Sequence, residues 1–379
     1  MLKRSTAVKG VTTLASLLLA ESASAEYRLN MTQGVTPISH DVYDLHMTIL
    51  WVCVAIGIVV FGAMFYAVYK HRKSKGAVAA NFHESTFAEF AWTIVPILIL
   101  VSMAIPATKT LLAMDDLSDS DMTIKVTGIQ WKWKYDYLDD GISFISSLAP
   151  EHNQARQRDS GIDVTKIENY LLEVDHPVVV PVGKKIRFLT TANDVIHSWW
   201  VPALGWKKDA IPGFINEMWA RIDKPGVYRG QCAELCGKDH GFMPIVVVAK
   251  NESDYRDWVA MKKQEQADAL ASADRAWSKD ELMKKGAQVY ATSCAACHQA
   301  NGQGLPGAFP ALAGSALVKG PVEGHIDRVM NGKQGTAMAA FAGLLSDVEI
   351  AAVITYERNS FGNDTGDVVQ PATIKAARK

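Results

Sequence analysis

The sequence predicts a multidomain membrane protein built from a two-helix transmembrane hairpin, an all-β sandwich and an all-α domain. Two long uncharged stretches within the first 110 residues predict the hairpin, and short β-branched runs between residues 120 and 250 predict the sandwich. Helix-start signals beyond residue 278 predict the all-α domain. Composition agrees with all three. The chain has 379 residues, more than one ordinary domain, and is 49% apolar but only 21% charged, which suits soluble domains joined to a small membrane part. A disordered chain and a polytopic transporter are excluded by these values. The formal net charge of −1 leaves no electrostatic footprint for nucleic acid. Five cysteines are too few for a disulfide scaffold of this size, so their placement carries the information.

Residues 1–25 read as a signal peptide. Lys3, Arg4 and Lys9 form a basic start, Val11–Ala20 an apolar centre too short to span, and Ala23-Ser24-Ala25 a small-x-small cleavage site before Glu26. The hairpin occupies residues 26–115. Met47–Tyr69 holds no charge and no histidine over 23 residues, enough for about 34 Å of helix. Phe90–Thr108 is a second uncharged stretch of 19 residues, whose Pro96 and Pro106 are tolerable in a membrane helix. The basic run Lys70-His71-Arg72-Lys73-Ser74-Lys75 between them places that loop in the cytoplasm, so everything after about residue 110 faces outward. With no histidine in either span, membrane-buried redox chemistry belongs to another subunit. Cys53 in the first span is a small buried hydrophobe. Glu89 opens the second span and has two readings: an acid favoured by the helix dipole, or the mouth of a proton path.

Residues 116–250 change character. Met122–Thr127, Leu171–Val174, Val178–Val180, Lys185–Thr190, Gly226–Gln231 and Met243–Ala249 read as strands of an antiparallel sandwich, with Gln154–Asp163 a polar loop excursion. Chemistry concentrates in Cys232-Ala-Glu234-Leu-Cys236-Gly-Lys-Asp-His240-Gly-Phe-Met243, with His197 upstream. Two thiolates, two imidazoles and a thioether form a soft donor set. Structural zinc and a disulfide are the plain alternatives. A thioether is a weak zinc ligand, however, and cysteines four residues apart make awkward bridge geometry. Two thiolates shared between two coppers, each with one His, would use Met243 and the Glu234 carbonyl as weaker ligands.

These residues resemble subunit II of the haem-copper cytochrome c oxidases, over about residues 35–260. The matching motifs are Gln130-Trp131-Lys132-Trp133-Lys134-Tyr135-Asp136-Tyr137, Asp194–Trp199, Asp209-Ala-Ile-Pro-Gly213 and Cys232–Met243. The resemblance implies two spans followed by a cupredoxin-like Greek-key sandwich with a dinuclear copper A centre on His197, Cys232, Glu234 (carbonyl), Cys236, His240 and Met243. It further implies that the Glu234 side chain reaches a magnesium shared with subunit I. Trp131 would be the aromatic through which electrons arrive, and Glu89 the entrance of a proton channel. Asn193 departs from the pattern, because many relatives carry an acid there that helps dock a basic cytochrome c. Trp131 and Trp133 also read as one packed face of a strand.

Residues 251–277 read as a helical tail and linker, and 278–361 as a further domain. Ser278-x-x-Glu281 is a capping box. Cys294-Ala-Ala-Cys297-His298 has the spacing for covalent haem c, Cys294 and Cys297 bonding the porphyrin and His298 the iron; a thioredoxin-like redox pair is the rival. His325, Met330 and Met338 are candidates for the opposite axial position. Met338 is favoured, in a loop before a second capping box, Ser346-x-x-Glu349, and a closing helix Asp347–Tyr356. This segment resembles a class I cytochrome c, whose axial Met occupies that place and whose Pro backs the haem histidine, as Pro310 would. His325 is expected to be an ordinary exposed residue beside Asp327, and residues 362–379 a mobile polar tail.

Together the resemblances imply an oxidase subunit II fused to its own cytochrome c, in a bacterial plasma membrane with its copper and haem domains on the periplasmic side. Electrons would pass from a cytochrome or quinol–cytochrome c reductase to haem, then copper, then subunit I, where oxygen is reduced and protons are translocated; subunit III would complete the assembly. A membrane-tethered copper carrier or redox sensor is the alternative. A quinol oxidase subunit would share the architecture but lack the copper ligands.

Overall fold

The computed structural model describes residues 30–81, 83–157 and 160–378. The expected signal peptide, 1–25, lies outside the described residues.

Helix α1 spans Pro37–Lys70 and α2 spans Thr86–Asp115. Each begins on a hydroxyl cap: the Thr36 side chain accepts from Ser39 N, and Ser85 from Ala88 N. Pro37 sits in the first turn of α1, where a missing N–H costs nothing. Both helices run beyond the uncharged stretches because the helix continues through polar residues at the membrane surfaces. None of the most apolar window of either helix is buried within the protein, as expected of a surface that faces lipid. Hydrogen bonds tie both ends of the hairpin to the sandwich. Thr36 Oγ1 donates to Leu204 O at 2.8 Å, and Trp219 Nε1 donates to Ala113 O at 2.9 Å.

Ten strands follow: β1 Met122–Ile129, β2 Lys132–Tyr137, β3 Ile142–Ser146, β4 Val178–Pro181, β5 Lys185–Ala192, β6 His197–Val201, β7 Trp206–Ala210, β8 Asn216–Arg221, β9 Gly226–Cys232 and β10 Pro244–Lys250. They form two five-stranded sheets, ordered β3-β2-β1-β5-β8 and β4-β10-β9-β6-β7. The expectation of a purely antiparallel sandwich is corrected at two pairs, since β1 runs parallel to β5 and β10 parallel to β4. Strand direction leaves no trace in an alternating pattern, because residues two apart share a face in either case. Leu171–Val174 is not a strand; Val174 makes a single bridge with Leu148. The excursion between β3 and β4 carries a short helix, α3 Pro150–Ala155.

The inner faces pack aromatic on aromatic. Trp133, Tyr135 and Tyr137 alternate inward along β2 and are fully buried, so the packed-face reading holds for Trp133. Phe188, Trp199 and Trp206 form a three-ring cluster, with Trp199 5.2 and 5.3 Å from the other two ring centres and those two 5.7 Å apart. Helix α4, Glu252–Ala273, leaves the sandwich but buries Tyr255 and Trp258 against it, and Tyr255 Oη donates to Asp140 at 2.6 Å.

The C-terminal region is all-helical: α5 Lys279–Ser293, α6 Ala295–His298, α7 Ala316–Lys319, α8 Val322–Asn331, α9 Asp347–Arg358 and α10 Pro371–Ala377. Both expected capping boxes form, Ser278 with Glu281 and Ser346 with Glu349. The crossing of α5 and α9 is close. A Cβ on Gly286 would stand 2.2 Å from Ala352 O, so only glycine fits.

Two expectations fail here. The end of the chain is not a mobile tail: α10 buries Ile374 in the helical core with Val369 before it, and Arg378 pairs with Asp347. Its apolar residues are too sparse to show a pattern in sequence. His325 is buried, with Nε2 2.9 Å from Glu357 Oε2. It shares the inward face of α8 with Ile326, Val329 and Met330; Asp327, its neighbour in sequence, lies round the helix.

Candidate metal centre

His197 is the first residue of β6, Cys232 the last of β9, and Cys236, His240 and Met243 lie on the loop from β9 to β10. The sandwich thus brings a distant imidazole to one end, where a single loop supplies the remaining donors. Cys232 N donates to Met243 O at 2.9 Å and closes the base of that loop. Gly128 of β1 makes room for His197: a Cβ there would meet His197 Cδ2 at 2.6 Å.

The thiols of Cys232 and Cys236 are free, and their sulfurs lie 3.8 Å apart. Each has its own imidazole, with His197 Nδ1 3.9 Å from Cys232 Sγ and His240 Nδ1 3.5 Å from Cys236 Sγ. The Glu234 carbonyl oxygen lies 3.4 Å from Cys232 Sγ. Met243 is buried with the two cysteines in the same core. Donors bonded tetrahedrally to one ion at about 2.0–2.3 Å stand roughly 3.5 Å from one another, so this donor set fits metal ions lying between the sulfurs. His197, Cys232 and Cys236 bring their donor atoms within 4.8 Å of one another.

Electrostatics favour deprotonation on one side. The hydrogen bond from Cys236, aided by His197 and outweighing burial, holds the Cys232 thiol well below the ordinary thiol range; the same sharing pushes Cys236 up. Burial opposes charge on His197, but the Asp194 carboxylate and Cys232 together raise it. Asp194 also fixes the ring. Its Oδ1 lies 2.9 Å from His197 Nε2 and its Oδ2 accepts from Gln130 N at 2.8 Å, which leaves Nδ1 for Cys232. Trp131 Nε1 and Gln130 Nε2 both donate to Cys236 O, at 3.1 and 2.9 Å. Trp131 is therefore hydrogen-bonded to the peptide of a cluster cysteine. Sequence reading missed the clamping role of Asp194, although it stands three residues before His197. It also missed Gly128, for which no sequence signal existed.

The remaining expected residues lie elsewhere. Glu89 is exposed in the first turn of α2, about 39 Å of helix from its far end. Cys294, Cys297, His298 and Met338 fall in the helical region. Both cysteines are free and burial pushes their thiols up; His298 Nδ1 lies 2.9 Å from Pro310 O, and Met338 is half-buried against the helical core.

A two-span anchor bearing an outward-facing sandwich with a paired-thiol cluster defines a membrane-bound subunit of a redox complex. Comparison gives its kind. The family model described as the periplasmic domain of cytochrome c oxidase subunit II matches residues 122–250, and that of its transmembrane domain matches 24–110. The probable cytochrome c oxidase subunit 2 of Rickettsia bellii (strain RML369-C) is 37% identical over 263 residues, covering 68% of this chain and 94% of the relative. The cytochrome c oxidase subunit 2 of Cereibacter sphaeroides is 35% identical over 279 residues, covering 68% and 92%. A crystal structure of the periplasmic domain of subunit II of cytochrome oxidase from Bradyrhizobium japonicum, 41% identical, covers 39% of this chain and 98% of its own, with a TM-score of 0.35. The chain belongs to the cytochrome c oxidase subunit II family. It works within an oxidase enzyme complex of several subunits, as a membrane protein with an external soluble domain.

The same comparison corrects two expectations. Residues 265–356 match the family model described as subunit III of cbb3-type cytochrome c oxidase, and this replaces the class I cytochrome c domain. The earlier likeness rested on a five-residue motif, a loop methionine and a closing helix, short-range features that do not tell one small all-helical domain from another. The haem c placed on Cys294, Cys297, His298 and Met338 rested on that likeness and loses its support with it. Magnesium on Glu234 is withdrawn too. Among the described residues the candidate metal cluster is His197, Cys232 and Cys236 and contains no carboxylate; Glu234 approaches it through its carbonyl.

Proposed function

We propose that this chain carries the electron-accepting metal centre of a terminal oxidase and passes electrons on to the subunit that reduces oxygen. The observation that carries this reading is the pair of free thiols 3.8 Å apart, each with its own imidazole. Copper bound there would supply one-electron chemistry spread over two thiolates. His197, Cys232, the Glu234 carbonyl, Cys236, His240 and Met243 are its proposed ligands. The chain's task is to hold these donors in one geometry, so that little moves when charge changes. Asp194 fixes His197, and the hydrogen bonds from Gln130 and Trp131 fix Cys236. Trp131, joined to the Cys236 peptide, is the proposed point of arrival for electrons.

The proposed partners are subunit I, subunit III and an upstream cytochrome or quinol–cytochrome c reductase, in a bacterial plasma membrane with the sandwich on the periplasmic side. The basic loop between the spans supports that orientation. Glu89, exposed at the cytoplasmic start of α2, is proposed as the mouth of a proton path. A Glu89→Gln complex with normal proton uptake would remove it from that role.

The test of the main reading is purification of the tagged full-length chain from its native membrane. It should bring down a larger membrane subunit and oxygen-reducing activity, and the Cys232→Ser,Cys236→Ser chain should bring down the subunit without the activity. A chain that purifies alone, or a double variant that retains full activity, contradicts it.

A further inference from the structure

The loop that carries His240 and Met243 is braced by a side chain outside the donor set. Arg156 caps the C-terminal end of α3, in the excursion between β3 and β4. Its Nη2 lies 2.9 Å from Asp239 Oδ2 and its Nη1 3.3 Å from Oδ1, a two-pronged contact. The guanidinium carbon stands 4.2 Å from the centre of the Phe242 ring. Arg156 Nε donates to Asn153 Oδ1 at 2.7 Å, so the fork itself is held. Both members of the ion pair are largely shielded, their side chains 14% and 5% exposed. Asp239 immediately precedes His240, and Phe242 immediately precedes Met243. Arg156 thus grips the residue before each of two proposed ligands.

The other contacts on that stretch are to backbone or to the donor set itself: Cys232 N donates to Met243 O, and His240 Nδ1 lies 3.5 Å from Cys236 Sγ. His240 N bonds back to Gly237 O and Phe242 N to Asp239 O, both local turns. Gly237 adopts a φ of +112° where the loop turns, just after Cys236, whose carbonyl accepts from Gln130 and Trp131. Lys238 reaches away to Ala296 O of the helical region at 2.8 Å. A shielded carboxylate whose cation is removed is left unpaired, so the loop would shift to bring Asp239 toward water.

We propose that Arg156 is a positioning residue for the metal centre: its fork on Asp239 and its stacking on Phe242 hold His240 and Met243 in place before metal arrives. The inference rests on the metal reading of the cluster and adds to it a residue that touches no metal. An excursion of otherwise unexplained purpose thereby acquires a task. Arginine suits it, because a planar fork can pair with a carboxylate and lie on a ring at once, which lysine cannot.

The experiment uses the full-length chain in detergent, loaded with copper. It records the copper spectrum and the rate at which a chelator strips the metal. Arg156→Ala and Asp239→Asn are expected to lose copper about tenfold faster or more, with a shifted spectrum. Arg156→Lys should fall between them and wild type, and the swapped pair Arg156→Asp,Asp239→Arg should recover part of the loss. If Arg156→Ala does not fold, Asp239→Asn, which keeps the shape of the side chain, carries the test. Variants that melt earlier but keep the wild-type spectrum and stripping rate overturn the brace and leave the metal reading standing. A wild-type chain that takes up no copper overturns both.

Discussion

Asp194 and Gly128 show how much of the site depends on residues that donate nothing to a metal. Asp194 joins His197 Nε2 to the backbone of Gln130, so Asp194→Asn should weaken copper affinity about tenfold while leaving the fold intact, as read by equilibrium titration against a chelator. Gly128→Ala should do the same by a steric route, since its Cβ would press on the His197 ring. The proposed donors stand out in sequence because Cys, His and Met are distinctive, and all but His197 sit on or beside one loop. Gly128 was not, because its meaning depends on what a neighbouring strand places opposite it. His325 shows the reverse error, in which a charged sequence neighbour suggested exposure and the helix turned it inward.

At the scale of elements, capping signals were read correctly and packing was not. Glu281 completes its box, and the Arg275 guanidinium, with Ser278, lowers its carboxyl from 4.5 to about 2. That stabilisation is complete above about pH 4.5 and fades as pH falls through about 2. The difference in stability between wild type and Glu281→Gln should therefore shrink across that window in acid-denaturation curves. At the α5–α9 crossing, Gly286→Ala should destabilise the helical region by about 1–3 kcal/mol in denaturant melts, because the new methyl meets backbone that cannot yield. Strands β3 and β6 to β8 escaped sequence reading because they are only five or six residues long, and Lys and Asp in β7 and Asn, Glu and Arg in β8 dilute their apolar residues. The parallel pairs escaped because pairing partners lie far apart in the chain.

For the whole molecule, the hairpin and the outward-facing sandwich followed from charge and hydropathy alone, since lipid imposes length and the basic loop imposes direction. The kind of C-terminal domain did not follow, because Cys294, Cys297, His298 and Met338 are a spacing rather than a fold. Protease added outside intact spheroplasts should cut beyond residue 116 and spare the loop at 71–75; cleavage of that loop instead would invert the topology. The central claim is that two thiolates share a pair of metal ions, and electron paramagnetic resonance of the copper-loaded full-length chain tests it most directly. A hyperfine pattern from one electron shared over two copper nuclei is expected, collapsing to a single-copper pattern in Cys236→Ser. A single-copper pattern or a silent site in the wild-type chain would contradict it.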